Sequence, residues 1–335
     1  MPDKVAILGA GSWGLALASM LNRSGHRVSV WEFDRDDACA LAETRRREDK
    51  LPGVLLPDSI TVTNDIDEAI TIASLVVIAL PSQTVRSALK WLSKGTVGEA
   101  GIVNLAKGVE TRTLLRMSEV IAEELALPGD RIVTLSGPSH AEEVVRDMPT
   151  AVVAAGSSEM LVRQVQETFS TRVFRVYQSD DIVGVELGGS LKNVIAIASG
   201  IIDGLGMGDN TRGALLTRGL AEITRLGLAA GARADTFGGL SGLGDLVTTC
   251  ISRHSRNRFV GEQIGRGRNL NEILADMTMV AEGVQTTRSA CDMARVHNVE
   301  MPIANEVHKV LFENKQPAEA LSQLMERKLK AEVWR

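Results

Sequence analysis

The clearest indication of the fold is the stretch 5–14, VAILGAGSWG. Four apolar residues typical of a buried strand run directly into a GxGxxG spacing, and a helical pattern follows over 13–25. A second apolar run, 28–31, ends at Glu32. A glycine turn between a strand and a helix, with an acidic residue roughly twenty positions later, is the fingerprint of dinucleotide binding. The sequence therefore predicts a nucleotide cofactor at this turn.

Each glycine of this turn has its own task. Gly9 permits the tight turn, Gly11 lets the backbone approach a pyrophosphate, and Gly14 allows close packing of the helix, whose N-terminus faces the phosphates. A carboxylate at Glu32 can accept both ribose hydroxyls of NAD and would repel the 2′-phosphate of NADP, whereas Arg35 could attract that phosphate. The balance favours NAD(H) and leaves NADP(H) open. The alternative is that Glu32 is only a solvated charge at a strand end.

The alternation of strand and helix continues to about residue 180. Further apolar strands are predicted at 60–63, 75–80, 101–106, 131–135, 150–155 and 172–177. Helices are predicted at 36–50, 65–71, from about 83, at 113–125 and at 158–169. Continuous apolar strands separated by helices are typical of a parallel sheet covered on both faces. We therefore expect a doubly wound α/β sheet with right-handed crossovers.

Beyond this point the strand signal disappears. Helices are predicted at 181–204, 211–230, 256–266, 270–277, 283–298, 302–313 and 317–330. A chain of 335 residues is long enough for two hydrophobic cores. We therefore predict a dinucleotide-binding domain, 1–180, and an all-helical substrate domain, 181–335, with the active-site cleft between them.

Composition argues against several classes of function. The formal net charge is −5 and the basic residues are dispersed, so a nucleic-acid partner is not expected. The three cysteines, at positions 39, 250 and 291, are far apart and form no CxxC spacing, which argues against disulfides and a thiolate metal site. The N-terminus lacks the basic region of a signal peptide, and the apolar run 72–80 is too short to span a membrane. We expect a cytoplasmic protein with no metal and no membrane partner.

Four polar segments, far apart in the chain, call for a common explanation. They are AKG at 106–108, SGPSHA at 136–141, Lys192–Asn193, and GLGD at 242–245 followed by SRNR at 255–258. The first two follow predicted strands, and open α/β sheets bind ligands at the carboxyl ends of their strands. Lys192 stands in a run of small and apolar residues, 188–206. An ammonium in such a run must either reach solvent or be held by a partner.

The chain resembles the bacterial-type NAD(P)-dependent glycerol-3-phosphate dehydrogenases. The matching strings occur in order along almost the whole chain: GAGSWGLALA, AKGVE, SGPSHAEEV, FRVY, GVELGGSLKNVIAIASGI, TRGLAEI, GGLSGLGDLVTTC, SRNR, VAEGVQT and MPI. The resemblance implies reversible reduction of dihydroxyacetone phosphate to sn-glycerol 3-phosphate by NAD(P)H, feeding phospholipid synthesis. It also implies a Rossmann-like N-terminal sheet joined to an all-α C-terminal domain like that of 6-phosphogluconate dehydrogenase.

The resemblance assigns roles to individual residues. It makes Lys192 the catalytic residue and Asp245 its neighbour. An ammonium in a partly dry cleft can give a proton to a carbonyl oxygen; burial should lower its pKa, and a nearby carboxylate should oppose that shift. The implied substrate contacts are Lys107, Gly137, Ser139, Lys192, Asp245, Ser255, Arg256 and Asn257. The implied cofactor contacts, besides the glycines, are Ser12, Trp13, Lys107, Ala141, Arg256, Val280 and Glu282.

Some assignments within the site have alternatives. Arg256 can make a bidentate phosphate contact, although the segment could also be an ordinary helix start with Ser255 as N-cap. His140 is a second candidate acid, placed below Lys192 because the family accepts an aromatic residue at its position. Several relatives have glycine or a basic residue where this chain has Glu32, so NADP(H) use stays open.

Two other functions compete with this interpretation. A β-hydroxyacid or 6-phosphogluconate-type dehydrogenase would share both domains and the catalytic lysine, with Arg256 as the anchor of a carboxylate. A module that senses NAD(H) without chemistry would lack the catalytic position, whereas this chain has Lys192, Asp245 and Arg256 together. The apolar, glycine-rich stretch 194–205 favours a homodimer.

Overall fold

The computed structural model describes residues 4–93, 95–329 and 331–332, so the first three residues and the last residue of the predicted helix 317–330 lie outside the described part. Within that part, eight strands form one sheet in the order β3-β2-β1-β4-β5-β6-β7-β8. They are β1 (Lys4–Leu8), β2 (Arg27–Trp31), β3 (Thr61–Thr63), β4 (Leu75–Ile78), β5 (Gly101–Asn104), β6 (Ile132–Ser136), β7 (Thr150–Ala155) and β8 (Phe174–Ser179). All eight predicted strands are confirmed, and we call residues 4–179 the sheet region.

The sheet is covered on both faces, as its apolar strands predict. Alternate residues of β1 enter different cores: Val5 and Ile7 join one cluster, and Ala6 and Leu8 join the other. This alternation follows from the two-residue period of a strand. The helices of the sheet region are α1 (Ser12–Arg23), α2 (Arg35–Thr44), α3 (Ile66–Ile70), α4 (Val85–Leu89), α5 (Met117–Leu125), α6 (Ala141–Val144) and α7 (Glu159–Phe169).

The last two strands differ from the predicted parallel arrangement. β1 to β6 are mutually parallel, but β7 pairs antiparallel with β6, and β8 then pairs parallel with β7. A parallel connection normally needs a full crossover helix. Between β6 and β7 the chain forms only the single turn α6, so it reverses at the carboxyl edge of the sheet instead of crossing it. The doubly wound fold is confirmed, and its sheet is mostly parallel.

Beyond β8 the described chain is helical, as predicted, and we call this part, 182–325, the helical region. Its helices are α8 (Ile182–Gly204), α9 (Asp209–Ala229), α10 (Ala234–Phe237), α11 (Asp245–Ile251), α12 (Arg256–Gly265), α13 (Leu270–Ala275), α14 (Glu282–Val296), α15 (Pro302–Phe312) and α16 (Pro317–Met325). A π-helical turn, Leu240–Gly244, leads directly into α11. Helices α10 and α11 were not predicted.

The long helix α8 is the core of the helical region. A Cβ at Gly200 would lie 1.9 Å from the carbonyl oxygen of Arg258, and one at Gly261 would lie 2.0 Å from that of Ile197, so α8 and α12 pack backbone to backbone. The expectation that 194–205 forms a dimer surface is therefore wrong, because its glycines serve packing within the chain. By length and composition α8 could cross a membrane, but its apolar window is completely buried in the protein, as in a core helix.

Candidate active site

The turn between β1 and α1 has the geometry that a nucleotide cofactor needs. Gly9 has a φ of +118°, a conformation that favours glycine. A Cβ at Gly14 would lie 2.1 Å from the carbonyl oxygen of Gly9, so only glycine lets α1 start this close to the strand. Gly11 faces an open cavity, and among the described residues no atom lies within 4 Å of its Cβ position. The residues present therefore fit a pyrophosphate at the N-terminus of α1.

The cavity, of about 330 Å³, lies between the carboxyl edge of the sheet and the helical region. It brings together most of the site residues expected from the sequence: Gly11, Ser12, Trp13, Lys107, Ser139, Ala141, Lys192, Asp245, Ser255, Arg256, Asn257, Val280 and Glu282. Gly9, Gly14 and Gly137 shape turns behind its wall, and Glu32 and Arg35 lie outside it. A larger cavity of about 520 Å³, within the helical region, contains none of these residues.

Lys192 does not reach solvent but is held by partners. Only 5 % of the residue is exposed, and its Nζ lies 2.8 Å from Oδ1 of Asp245. The same ammonium donates a hydrogen bond of 2.5 Å to Oγ1 of Thr249. Burial lowers the pKa of Lys192 to about 8, although the Asp245 carboxylate opposes the shift. Its pKa thus lies near neutral pH, where the group can act as an acid or as a base.

Asp245 links two ammonium groups from different regions of the chain. It is the first residue of α11 and is 2 % exposed. Its Oδ2 lies 2.7 Å from Nζ of Lys107, while Oδ1 accepts the Lys192 contact and a 3.1 Å hydrogen bond from Thr249. Burial alone would raise the pKa of Asp245, but Lys107 and Lys192 hold it below its ordinary value. The carboxylate therefore stays charged between them.

The loops after β5 and β6 fix Lys107 in the cavity wall. Its Nζ donates to the carbonyl oxygen of Gly137 at 2.9 Å, and Oγ of Ser139 donates to the same oxygen at 2.9 Å. Gly137 has a φ of +141°, which favours glycine at this position. These contacts keep the Lys107 ammonium beside Asp245.

The start of α12 supplies one cation and two polar side chains to the cavity wall. Ser255 is the N-cap of the helix and accepts the backbone N–H of Arg258, which bears out the alternative considered for it. Asn257 is buried; it donates to Oδ1 of Asn193 at 2.9 Å and accepts the N–H of Gly283 at 2.9 Å. Arg256 is exposed and makes no hydrogen bond or ion pair with the described residues. Its guanidinium is thus available to an anion in the cavity.

Glu282, at the start of α14, connects the helical region to the sheet region near the nucleotide turn. Its carboxylate accepts hydrogen bonds from the backbone N–H of Ser82 at 2.9 Å and from the Ser82 hydroxyl at 2.5 Å. Burial raises the pKa of Glu282. Close by, Oγ of Ser12 contacts Sδ of Met279 at 3.3 Å, so the segment before α14 covers the nucleotide turn.

Glu32 follows β2 but has a partner that the sequence did not indicate. The guanidinium of Arg47 lies 3.4 Å from Glu32, 3.0 Å from Asp37 and 3.0 Å from Asp49. Burial raises the pKa of Glu32, and Arg47 opposes the shift. Arg35, in contrast, is exposed at the start of α2. The structure ends α2 at Thr44, so Arg47 lies in an irregular segment within the stretch 36–50 that was predicted to be helical.

Two further cavity residues bear on proton transfer. Thr249 was missed, although it lies four residues after Asp245, the spacing that places both on one face of a helix. His140 lines the cavity with its Nε2 unpartnered among the described residues. Burial, and next the Lys192 charge, lowers the pKa of His140, which makes it a poorer acid donor near neutral pH than Lys192. No group of three or more His, Cys, Asp or Glu side chains suited to a metal occurs in the described residues.

Comparison with known proteins gives one consistent result. Residues 4–162 match the model of the NAD-dependent glycerol-3-phosphate dehydrogenase N-terminus, and residues 181–322 match that of its C-terminus. A glycerol-3-phosphate dehydrogenase (NAD(P)+) of Citrifermentans bemidjiense is 51 % identical over 339 residues, covering 99 % of both chains. One from Pelotomaculum thermopropionicum is 51 % identical over 98 % of this chain and 94 % of its own. The crystal structure of glycerol-3-phosphate dehydrogenase from Coxiella burnetii superposes with a TM-score of 0.93 at 36 % identity, covering 97 % of this chain and 99 % of that one.

Proposed function

The chain belongs to the NAD-dependent glycerol-3-phosphate dehydrogenase family and is an NAD(P)-dependent oxidoreductase, and we propose that the residues of its cavity interconvert dihydroxyacetone phosphate and sn-glycerol 3-phosphate. The observation that carries the proposal is the buried Asp245 carboxylate between the ammonium groups of Lys107 and Lys192. Lys192 donates a proton to the ketone oxygen of the substrate and, when neutral, takes it back from the alcohol. Asp245 fixes the ammonium, and the positive charge of Lys107 stabilises the developing alkoxide.

The other end of the substrate is held by the start of α12. We assign Arg256 as the bidentate phosphate contact, because its guanidinium lines the cavity and forms no ion pair with the described residues. Ser255 and Asn257 add neutral donors, although their observed hydrogen bonds show that both also position α12. Gly137 and Ser139, beside Lys107, complete the substrate contacts.

The cofactor fits along the carboxyl edge of the sheet. When bound, NAD(P)H supplies the hydride. Gly11 and the N-terminus of α1 accommodate the pyrophosphate, and the remaining cofactor contacts that we assign are Ser12, Trp13, Lys107, Ala141, Arg256, Val280 and Glu282. We propose a preference for NAD(H), because Glu32, Asp37 and Asp49 surround the single guanidinium of Arg47 and would repel a 2′-phosphate.

The wider biological setting rests on the family. We propose a cytoplasmic homodimer whose product feeds phospholipid synthesis, with dinucleotide-binding and substrate domains meeting near residue 180. Its partners would be small molecules rather than nucleic acid or a membrane. The reaction as derived needs no metal, because two ammonium groups supply the positive charge at the ketone oxygen.

Lys192→Ala tests the proposal. Turnover of dihydroxyacetone phosphate with NADH should fall about 100- to 10,000-fold, the range for loss of a general acid, while NADH binding measured by fluorescence changes little. Lys309→Ala is the matched control, because Lys309 pairs with Glu306 on α15, away from the cavity. Near-normal turnover by K192A would remove Lys192 from the mechanism. Turnover of a hydroxyacid but not of glycerol 3-phosphate would favour the competing dehydrogenase class.

A further inference from the structure

A buried carboxylate outside the cavity joins the sheet region to the helix that carries Lys192. Glu186 lies in the second turn of α8 and is 4 % exposed. Its two oxygens accept five hydrogen bonds: from the side chains of Asn104, Arg116, Ser118 and Thr134, and from the backbone N–H of Ser118. The shortest, 2.6 Å, is from Nη1 of Arg116. All of these donors belong to the sheet region, so one side chain fixes α8 against it.

Two of these donors, Asn104 and Thr134, lie close to the segments that hold Lys107. Asn104 ends β5, and its Oδ1 accepts the backbone N–H of Ala106 at 3.0 Å, which shapes the turn just before Lys107. Thr134 lies in β6, three residues before Gly137, whose carbonyl oxygen accepts from Lys107. The two strand ends that hold Lys107 are therefore the two that contact Glu186.

The acceptor, Glu186, lies on the same helix as Lys192. Lys192 is six residues after Glu186 on the same rigid, buried helix. Between them a Cβ at Gly189 would lie 2.5 Å from Oγ of Ser136, so α8 packs closely against the end of β6. Lys107 and Lys192 must reach opposite oxygens of one carboxylate, at 2.7 and 2.8 Å. Any shift of α8 relative to the strand ends would change one of these distances.

We propose that Glu186 is a positioning residue, which sets the distance between Lys107 and Lys192 across Asp245 by locking α8 onto the ends of β5 and β6. This inference rests on the proposed catalytic roles of the two lysines. Misplacement of a catalytic group by about 1 Å can cost about a hundredfold in rate. The loss should appear in kcat, because Glu186 does not line the cavity proposed to hold both ligands.

The test compares Glu186→Gln with Glu222→Gln. Glu222 is also a buried carboxylate joining two elements, but it accepts the N–H groups of Ile303 and Ala304, away from the cavity. We expect E186Q to lower kcat for dihydroxyacetone phosphate about 10- to 100-fold, with NADH binding by fluorescence within about twofold of wild type. The alkaline limb of its pH–kcat profile should move to lower pH, because a loosened Asp245 contact no longer raises the pKa of Lys192. E222Q should change neither.

A purely structural role would give another result. If E186Q and E222Q both lose thermal stability while kcat and the pH profile stay at wild-type values, the inference is wrong. If E186Q does not fold, Ser118→Ala decides, since it removes one of the five hydrogen bonds and keeps the ion pair with Arg116. A wild-type kcat and pH profile in S118A would then overturn the proposal. K192A, measured in parallel, separates failure of the inference from failure of the proposed function.

Discussion

At the scale of single residues, the proposed role of Lys192 predicts how the reaction depends on pH. Burial lowers its pKa to about 8, and ketone reduction needs its protonated form. We therefore expect kcat for dihydroxyacetone phosphate reduction to be constant below about pH 7 and to fall through an apparent pKa of about 8, while glycerol 3-phosphate oxidation rises over the same range. Steady-state assays from pH 6 to 10 in both directions check this. An alkaline limb at the ordinary lysine value in both directions would contradict it.

Glu32 gives a second prediction, on the choice of cofactor. Replacing Glu32 by serine removes one of three carboxylates around Arg47 and leaves its guanidinium, 3.4 Å from the lost carboxylate, accessible to a 2′-phosphate. We expect the ratio of NADPH to NADH affinity to rise about 10- to 100-fold, the worth of one charge-assisted hydrogen bond. Fluorescence titration with both nucleotides measures the ratio.

The double variant E32S/R47M isolates the contribution of Arg47. In that background the gain for NADPH should disappear, because no guanidinium remains to receive the phosphate. Retention of the full gain would mean that Arg47 does not contact the 2′-phosphate. The exposed Arg35 would then be the residue to test.

At the scale of elements, local pattern predicted most of the fold. Runs of buried, mostly apolar residues stand out at β1, β2, β4, β5 and β6, because both faces of the sheet are buried there. The outer strands β3 and β8 include exposed residues. The direction of β7 did not follow from its sequence, since an antiparallel pair depends on where the connecting chain goes. Helix α11 was missed because it is short and follows the glycine-rich segment 239–244, which has no apolar period.

The candidate site also contains residues that the sequence indicates and residues that it does not. Side chains at strand ends and in glycine turns were predictable, since their place in the topology is fixed. Arg47 and Glu186 were not, because their contacts with Glu32 and with the sheet region form only in the folded chain. Thr249 was missed although its spacing from Asp245 offered a signal. Glu186 looks like any polar residue of a helix until the fold places four residues of the sheet region around it.

The packing of α9 against α15 should make the stability of the protein depend on pH. Glu222 of α9 is 2 % exposed, and burial raises its pKa to about 7. The folded state therefore binds its proton more tightly than the unfolded chain, so the stabilisation is complete below the ordinary glutamate pKa and is lost as pH rises through 7. Relative to E222Q, the wild-type free energy of unfolding should fall by about 2 kcal/mol between pH 5 and pH 8. Denaturant titrations at both values measure it; parallel pH dependences in the two proteins would contradict the assignment.

At the scale of the whole molecule, the cavity lies between the sheet region and the helical region, each with its own hydrophobic core. One wall comes from the sheet region and the other from α8, α11, α12 and α14. Besides those of Glu186, the contacts between the two regions include Ser82 with Glu282 and Nζ of Lys50 with the carbonyl oxygen of Thr278, at 3.0 Å. Ligands bound in this cleft should thus hold both regions together.

We therefore expect NADH to stabilise the molecule as one unit. At a concentration of 100 times its Kd, the free energy of unfolding should rise by about 2.7 kcal/mol, because NADH binds only the folded state. Calorimetry should show one transition moving to higher temperature, since the nucleotide turn and the segment before α14 both border the cofactor site. At the NADH concentration used for the wild type, E282Q, which weakens the contact with Ser82, should show a smaller shift. A scan that splits into a shifted and an unshifted transition would show that the sheet region binds the nucleotide without the helical region.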